Sequence, residues 1–171
     1  MKRILFVLSV LILASCSQKN YIIGVSNSEF PELGDSVAFI NQKGDTIIPF
    51  GKYSTTYSFD TIFDIGFVTK KEVGIMAINN KGKELFQVFY FDNGPDYISD
   101  GLFRILENGK IGYANKKGEV IIKPQYDCGS PFEKGIAKVS YKCKEVKVGE
   151  HDMWKSENWI YINKKNIKIE Q

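Results

Sequence analysis

Four segments of the chain share one turn signature: Asn41-Gln42-Lys43-Gly44, Asn79-Asn80-Lys81-Gly82, Asn115-Lys116-Lys117-Gly118 and Asn163-Lys164-Lys165-Asn166. An asparagine opening a type I turn bonds the backbone just ahead of it. A glycine in fourth place accepts positive φ and gives the bulged connection between antiparallel strands. Asn166 suits the same place, since asparagine tolerates that conformation next best. Strand-like runs flank the turns, residues 37–40 and 46–48 in the first copy and 111–114 and 120–122 in the third. The expected fold class is therefore all-β, an array of repeated antiparallel hairpins over residues 36–171. The turn positions 44, 82, 118 and 166 are separated by 38, 36 and 48 residues. The long last interval implies an insertion, assigned to residues 144–158.

Further pieces repeat beyond the hairpin. A third strand is expected at residues 136–141, after Glu133-Lys134-Gly135, with counterparts at 102–105 and 67–68. Pro49 and Pro124 are expected to end the second strands, because proline cannot donate to a ladder. These units resemble the bacterial WG-repeat family, whose pattern runs roughly Trp-Gly-aromatic-Ile-Asp-Lys-x-Gly-Lys, then Val-Ile-x-Pro-x-(Tyr/Phe)-Asp, then Phe-x-x-Gly-x-Ala-x-Val. Gly112 to Gly118, Pro124-Gln125-Tyr126-Asp127 and Phe132-Glu133-Lys134-Gly135-Ile136-Ala137-Lys138-Val139 carry the resemblance. The chain departs from the pattern in having no Trp-Gly pair. Ile111 precedes Gly112, Ala38 replaces the glycine in the first copy, and Gly74 lies eight residues before its turn glycine where Gly112 lies six. The resemblance implies an interaction or structural module without defined chemistry.

The N-terminus speaks to address. Lys2 and Arg3 precede an apolar run, residues 4–13, and then Leu13-Ala14-Ser15-Cys16. A charged start, about ten apolar residues and small residues at the end describe a secretory signal, too short to span a bilayer. The segment resembles the helical signal peptide and lipobox of bacterial lipoproteins. That resemblance implies cleavage between Ser15 and Cys16, a diacylglycerol on the Cys16 sulfur and palmitate on its amine. Residues 16–35 are then a tether and N-terminal strand region. The implied location is the bacterial cell envelope, lipid-anchored, with the outer membrane the expected site and its face left open.

Loss of residues 1–15 removes two of the charges behind a net +3 and leaves the mature chain near +1. No basic footprint for nucleic acid remains. Hydrophobic residues at 43% and aromatics at 13% supply a real core for about 156 residues. Cys128 and Cys143 would meet an oxidising compartment. They are either a disulfide closing a loop worth about 3 kcal/mol or two free thiols too far apart to bond; the sequence leaves both open.

Catalytic signatures are absent. No nucleophile elbow, phosphate-binding glycine loop or paired-histidine zinc motif occurs, so neither a catalytic residue, a metal site nor a cofactor is assigned. His151, the one histidine, reads as a solvated loop residue. Asp92-Asn93-Gly94-Pro95-Asp96 reads as a turn rather than a calcium loop. Residues 88–91, Val-Phe-Tyr-Phe, read as core. The lysines at 142, 144 and 147 and at 164, 165 and 168 read as guards of sheet edges. The expected function is a binding or structural module at the membrane, with an envelope protein or glycan as partner and His151, Trp154 and Trp159 as its contact loop. The rival readings are an envelope hydrolase with Asp60, Asp64, Asp92 and Asp127 converging, and an inhibitor or immunity protein.

Overall fold

The computed structural model describes residues 19–29, 35–57, 61–149 and 151–170, and backbone alone at Thr55, His151 and Asp152. The signal peptide, the cleavage position and Cys16 lie outside the described residues, as does Asp60. Among the described residues every regular element is a strand and no helix occurs, so the chain is all-β as the turn spacing implies.

Each turn signature folds as its residues dictate. The side-chain oxygens of Asn41, Asn79, Asn115 and Asn163 each accept two backbone N–H groups, two and four residues ahead, at 2.8–3.1 Å. The residue in fourth place donates back to the asparagine carbonyl in all four copies. Its φ is positive throughout: 87°, 74° and 80° at Gly44, Gly82 and Gly118, and 62° at Asn166.

Strands build outward from these turns. β1 (Ile22–Ser26) pairs with β2 (Val37–Asn41), which turns into β3 (Thr46–Tyr53); β4 (Thr55–Thr56) and β5 (Thr61–Ile62) are short. β6 (Ile65–Lys70) pairs with β7 (Gly74–Asn79), and β7 with β8 (Glu84–Val88). A small hairpin follows, β9 (Tyr90–Phe91) with β10 (Gly94–Pro95), and then β11 (Leu102–Glu107). β11 pairs with both β8 and β12 (Lys110–Asn115), and β12 turns into β13 (Val120–Tyr126). β14 (Cys128–Gly129) lies on β15 (Ile136–Ser140) as β4 lies on β6. The insertion forms its own hairpin, β16 (Lys144–Val148) with β17 (His151–Lys155), before β18 (Ile160–Asn163) and β19 (Lys168–Ile169) close the array.

Three sheets carry the repeats. Their orders are β3-β2-β1-β5, β13-β12-β11-β8-β7-β6-β4 and β14-β15-β18-β19. The third strands expected at 67–68, 102–105 and 136–141 are β6, β11 and β15, and each precedes the first strand of the next hairpin. Where β6 meets β7 and β11 meets β12, tight turns suffice; between β15 and β18 the β16–β17 hairpin is inserted. The buried apolar side chains form three clusters, the first around Phe39 and Tyr53, the second around Phe103 and Ile105, the third around Tyr113, Tyr126 and Phe132.

Pro49 and Pro124 correct an expectation, because β3 and β13 run through them. The ladder instead skips: Phe39 faces Ile48 but Val37 faces Tyr53, and Tyr113 faces Ile122 but Ile111 faces Tyr126. Residues 49–52 and 123–125 arch away from the partner strand, so the prolines stand where no ladder bond is required. Beyond each arch a tyrosine returns to the core. Tyr53 donates to Glu84 at 2.9 Å and Tyr126 donates to Asn166 at 2.5 Å, tying each arch to the next hairpin. Lys70 also bonds Glu84 at 2.8 Å and holds that carboxyl below its usual range, while burial pushes both tyrosine hydroxyls up.

Gly74 is not the counterpart of Gly112. Counting from Asn79, Met76 occupies that place, and β7 pairs with β8 without an arch.

Candidate functional site

Arg104 is the only arginine of the described residues, and it sits in the middle of an apolar strand, Leu102-Phe103-Arg104-Ile105-Leu106. Both faces of this stretch are covered, and the Arg104 side chain is 5% exposed. A buried cation demands a partner. Asp96, fully buried, supplies it: its Oδ1 accepts from Nη2 at 2.6 Å, and its Oδ2 from Nε at 2.9 Å and from the Arg104 backbone N–H at 2.7 Å. Nη1 donates to the Gly129 carbonyl at 3.2 Å. The guanidinium carbon stands 4.2 Å from the centre of the Phe89 ring and 5.4 Å from that of Phe91.

Arg104, held by Asp96 from behind, lines a groove of about 220 Å³ together with Gly129, Ser130, Lys138, Met153, Trp154 and Trp159. Trp154 projects from β17 and meets Phe89 edge to face, ring centres 5.4 Å apart. Trp159, just before β18, carries the Lys138 ammonium 4.4 Å from its ring centre. The two tryptophans that the sequence nominated therefore share one groove, each half-buried. His151 is the first residue of β17, opposite Val148, so it belongs to a strand and not a loop.

Residues 88–91 are corrected. Val88 is core, but Phe89 is only half-buried, and Tyr90 and Phe91 are 56% and 45% exposed. The strand breaks after Val88, and β9 turns outward on Asp92 and Asn93, both at positive φ, which agrees with the turn reading of that segment. Phe91 then stacks edge-on to Tyr97 at 5.5 Å, beside the groove.

The structure joins Cys128 to Cys143 as a disulfide, Cα atoms 6.1 Å apart. Cys128 precedes Gly129 of the groove floor, and Cys143 immediately precedes β16. The bond thus fixes the root of the inserted hairpin beside the floor it covers. Protein purified without reductant is expected to leave both thiols blocked to alkylation, and reduction to expose both and lower the urea midpoint. Two alkylatable thiols before reduction contradict the bond.

Asp64 pairs with Lys19 at 2.8 Å, Asp127 pairs with Lys110, and Asp92 lies in the β9–β10 turn. Among the described residues no three His, Cys, Asp or Glu side chains are grouped to hold a metal ion. Of the lysines read as edge guards, Lys168 lies on β19, the edge of its sheet, and Lys144 and Lys147 lie on β16, in the two-stranded insertion.

Sequence reasoning missed Asp96, Arg104 and Lys138. The signal for Arg104 was present, since a lone charge between apolar neighbours on both sides needs a buried partner. Nothing local names Asp96 as that partner, eight residues away across a turn.

No curated protein and no solved structure gave a significant match. The family model of the WG containing repeat matches residues 38–61 and 111–142. These stretches hold the two arches, after Ile48 and after Ile122, and leave out the archless hairpin β7–β8. In these two regions, therefore, the chain is similar to the WG containing repeat.

Proposed function

We propose that the chain is a lipid-anchored binding module of the bacterial cell envelope, in which WG-type repeats hold an inserted hairpin as the contact surface. The lipid comes from Cys16 in its Leu-Ala-Ser-Cys setting. One observation supports the contact surface above all: Met153, 54% exposed, lines the Trp154–Trp159 groove, and Phe91, 45% exposed, lies 5.4 Å from the Arg104 guanidinium at its floor and meets exposed Tyr97 edge-on. Exposed aromatic and methionine side chains gathered around one groove mark a surface that meets a partner.

Site-specific photo-crosslinking in intact cells tests it. A photoreactive residue in place of Met153 is expected to give adducts with an envelope component, and one in place of exposed Ile47 on β3 is not. Equal adducts from both positions, or none from either, contradict the reading. Cys16→Ser is expected to abolish fatty-acid labelling and to release the protein from the membrane fraction. Persistent labelling contradicts the anchor.

A further inference from the structure

We propose that the Trp154–Trp159 groove binds one carboxylated sugar ring of an acidic polysaccharide, an inference that rests on the binding-module reading and names its ligand. The case is an accounting of hydrogen-bonding groups. Every acceptor at the floor is engaged within the protein. Asp96 takes three bonds from Arg104, and the Gly129 carbonyl takes a fourth. The Ser130 carbonyl accepts from the Tyr113 hydroxyl at 2.8 Å; the Ser130 hydroxyl donates to Pro131 and accepts from the Lys138 backbone. The donors are in the opposite condition. Among the described residues, the Lys138 ammonium and the indole N–H groups of Trp154 and Trp159 make no hydrogen bond, and Lys138 makes no ion pair.

A site of open donors and engaged acceptors selects an acceptor-rich ligand. Its charge is one positive unit, since Asp96 neutralises Arg104 and Lys138 remains. One carboxylate balances that charge. The Trp154 indole supplies an apolar surface and the Trp159 indole holds the Lys138 ammonium beside it; against them the C–H face of a sugar ring packs while its hydroxyls meet the donors. An acidic peptide side chain brings the carboxylate but no ring for the indoles. A volume of about 220 Å³ lies below the range of drug-sized pockets, about 300–1,000 Å³, and suits one six-membered ring. Met153, 54% exposed, forms an open rim past which a polymer can continue.

Trp154 and Trp159 are the only tryptophans, so their fluorescence reports on the groove directly. The full chain is titrated with trigalacturonate and a hyaluronan tetrasaccharide, against galactotriose and hexaglutamate. Saturable change with the carboxylated sugars is expected, at least tenfold tighter than with galactotriose. Lys138→Gln is expected to erase that tenfold preference at an unchanged melting temperature, and Trp159→Leu to weaken binding at least tenfold. Equal binding of neutral and acidic sugars, preference for hexaglutamate, or no response to either carboxylated sugar overturns the proposal. Crosslinks from position 153 without a sugar response would retire the sugar and leave the binding module standing; absence of both retires both.

Discussion

Asp96→Ala is expected to lower the unfolding free energy by about 3–5 kcal/mol, the scale for stranding one member of a buried ion pair. Arg104 would keep its charge, 5% exposed, with only the Gly129 carbonyl and two aromatic rings to face it. Its backbone N–H would also lose the 2.7 Å bond to Oδ2. The same carboxylate thus serves a side chain and the middle of β11, and β11 joins β8 to β12 in the seven-stranded sheet. Replacing both partners, as Asp96→Leu with Arg104→Leu, is expected to recover the part of the loss that comes from the stranded guanidinium, the backbone N–H of β11 still lacking its acceptor. Urea denaturation of the three proteins checks this. A single variant within about 1 kcal/mol of the parent would show that the pair does not hold the floor of the groove, since exposed pairs have that magnitude.

Gly112→Val is the second large effect, at the top of or above the range of about 1–3 kcal/mol for overpacked sites. A Cβ at Gly112 would stand 2.5 Å from the Ile122 carbonyl oxygen and 2.5 Å from the Pro124 nitrogen. Both are backbone atoms of β13, so no rotamer change can make room. The first repeat shows how the chain tolerates a side chain there. Ala38 occupies the equivalent position, and its arch spans residues 49–52, one residue longer than 123–125. Gly112→Ala combined with a glycine inserted after Pro124 is accordingly expected to be more stable than Gly112→Ala alone. Thermal melts of the pair decide it; an insertion that only adds to the damage would show that arch length and glycine are unrelated. Gly44→Ala serves as a contrast, because nothing lies within 4 Å of its Cβ and only the positive φ of 87° resists it, at about 1–2 kcal/mol.

The hairpins were legible because their turns are local chemistry. Asn41, Asn79, Asn115 and Asn163 act on residues two and four ahead, and that spacing is visible in the chain. The insertion was legible for a related reason, since a repeat of fixed size exposes any excess. The arches were not. Pro49 and Pro124 carry the ordinary sign of a strand end, and only the partner strand shows that the chain bulges and returns at Tyr53 and Tyr126. Residues 88–91 misled for a further reason. Consecutive aromatics look like core, but the outward turn at Asp92 and Asn93 places Phe91 where it can cover the Arg104 guanidinium from outside. The groove likewise depends on contacts between β11, β14, β15 and β17, which no local pattern contains.

The central claim is that the repeats are a scaffold and the inserted hairpin is the part that binds. It is tested most directly by replacing residues 142–158 with a short turn like that at 71–73, with Cys128→Ser so that no thiol is left unpaired. The far-UV circular dichroism of the replaced protein is expected to remain that of a folded β protein with a cooperative melt. Its crosslinks to the envelope, read from a photoreactive residue at exposed Phe91, are expected to disappear. A folded variant that keeps those crosslinks, or a variant that does not fold without the hairpin, would contradict the account.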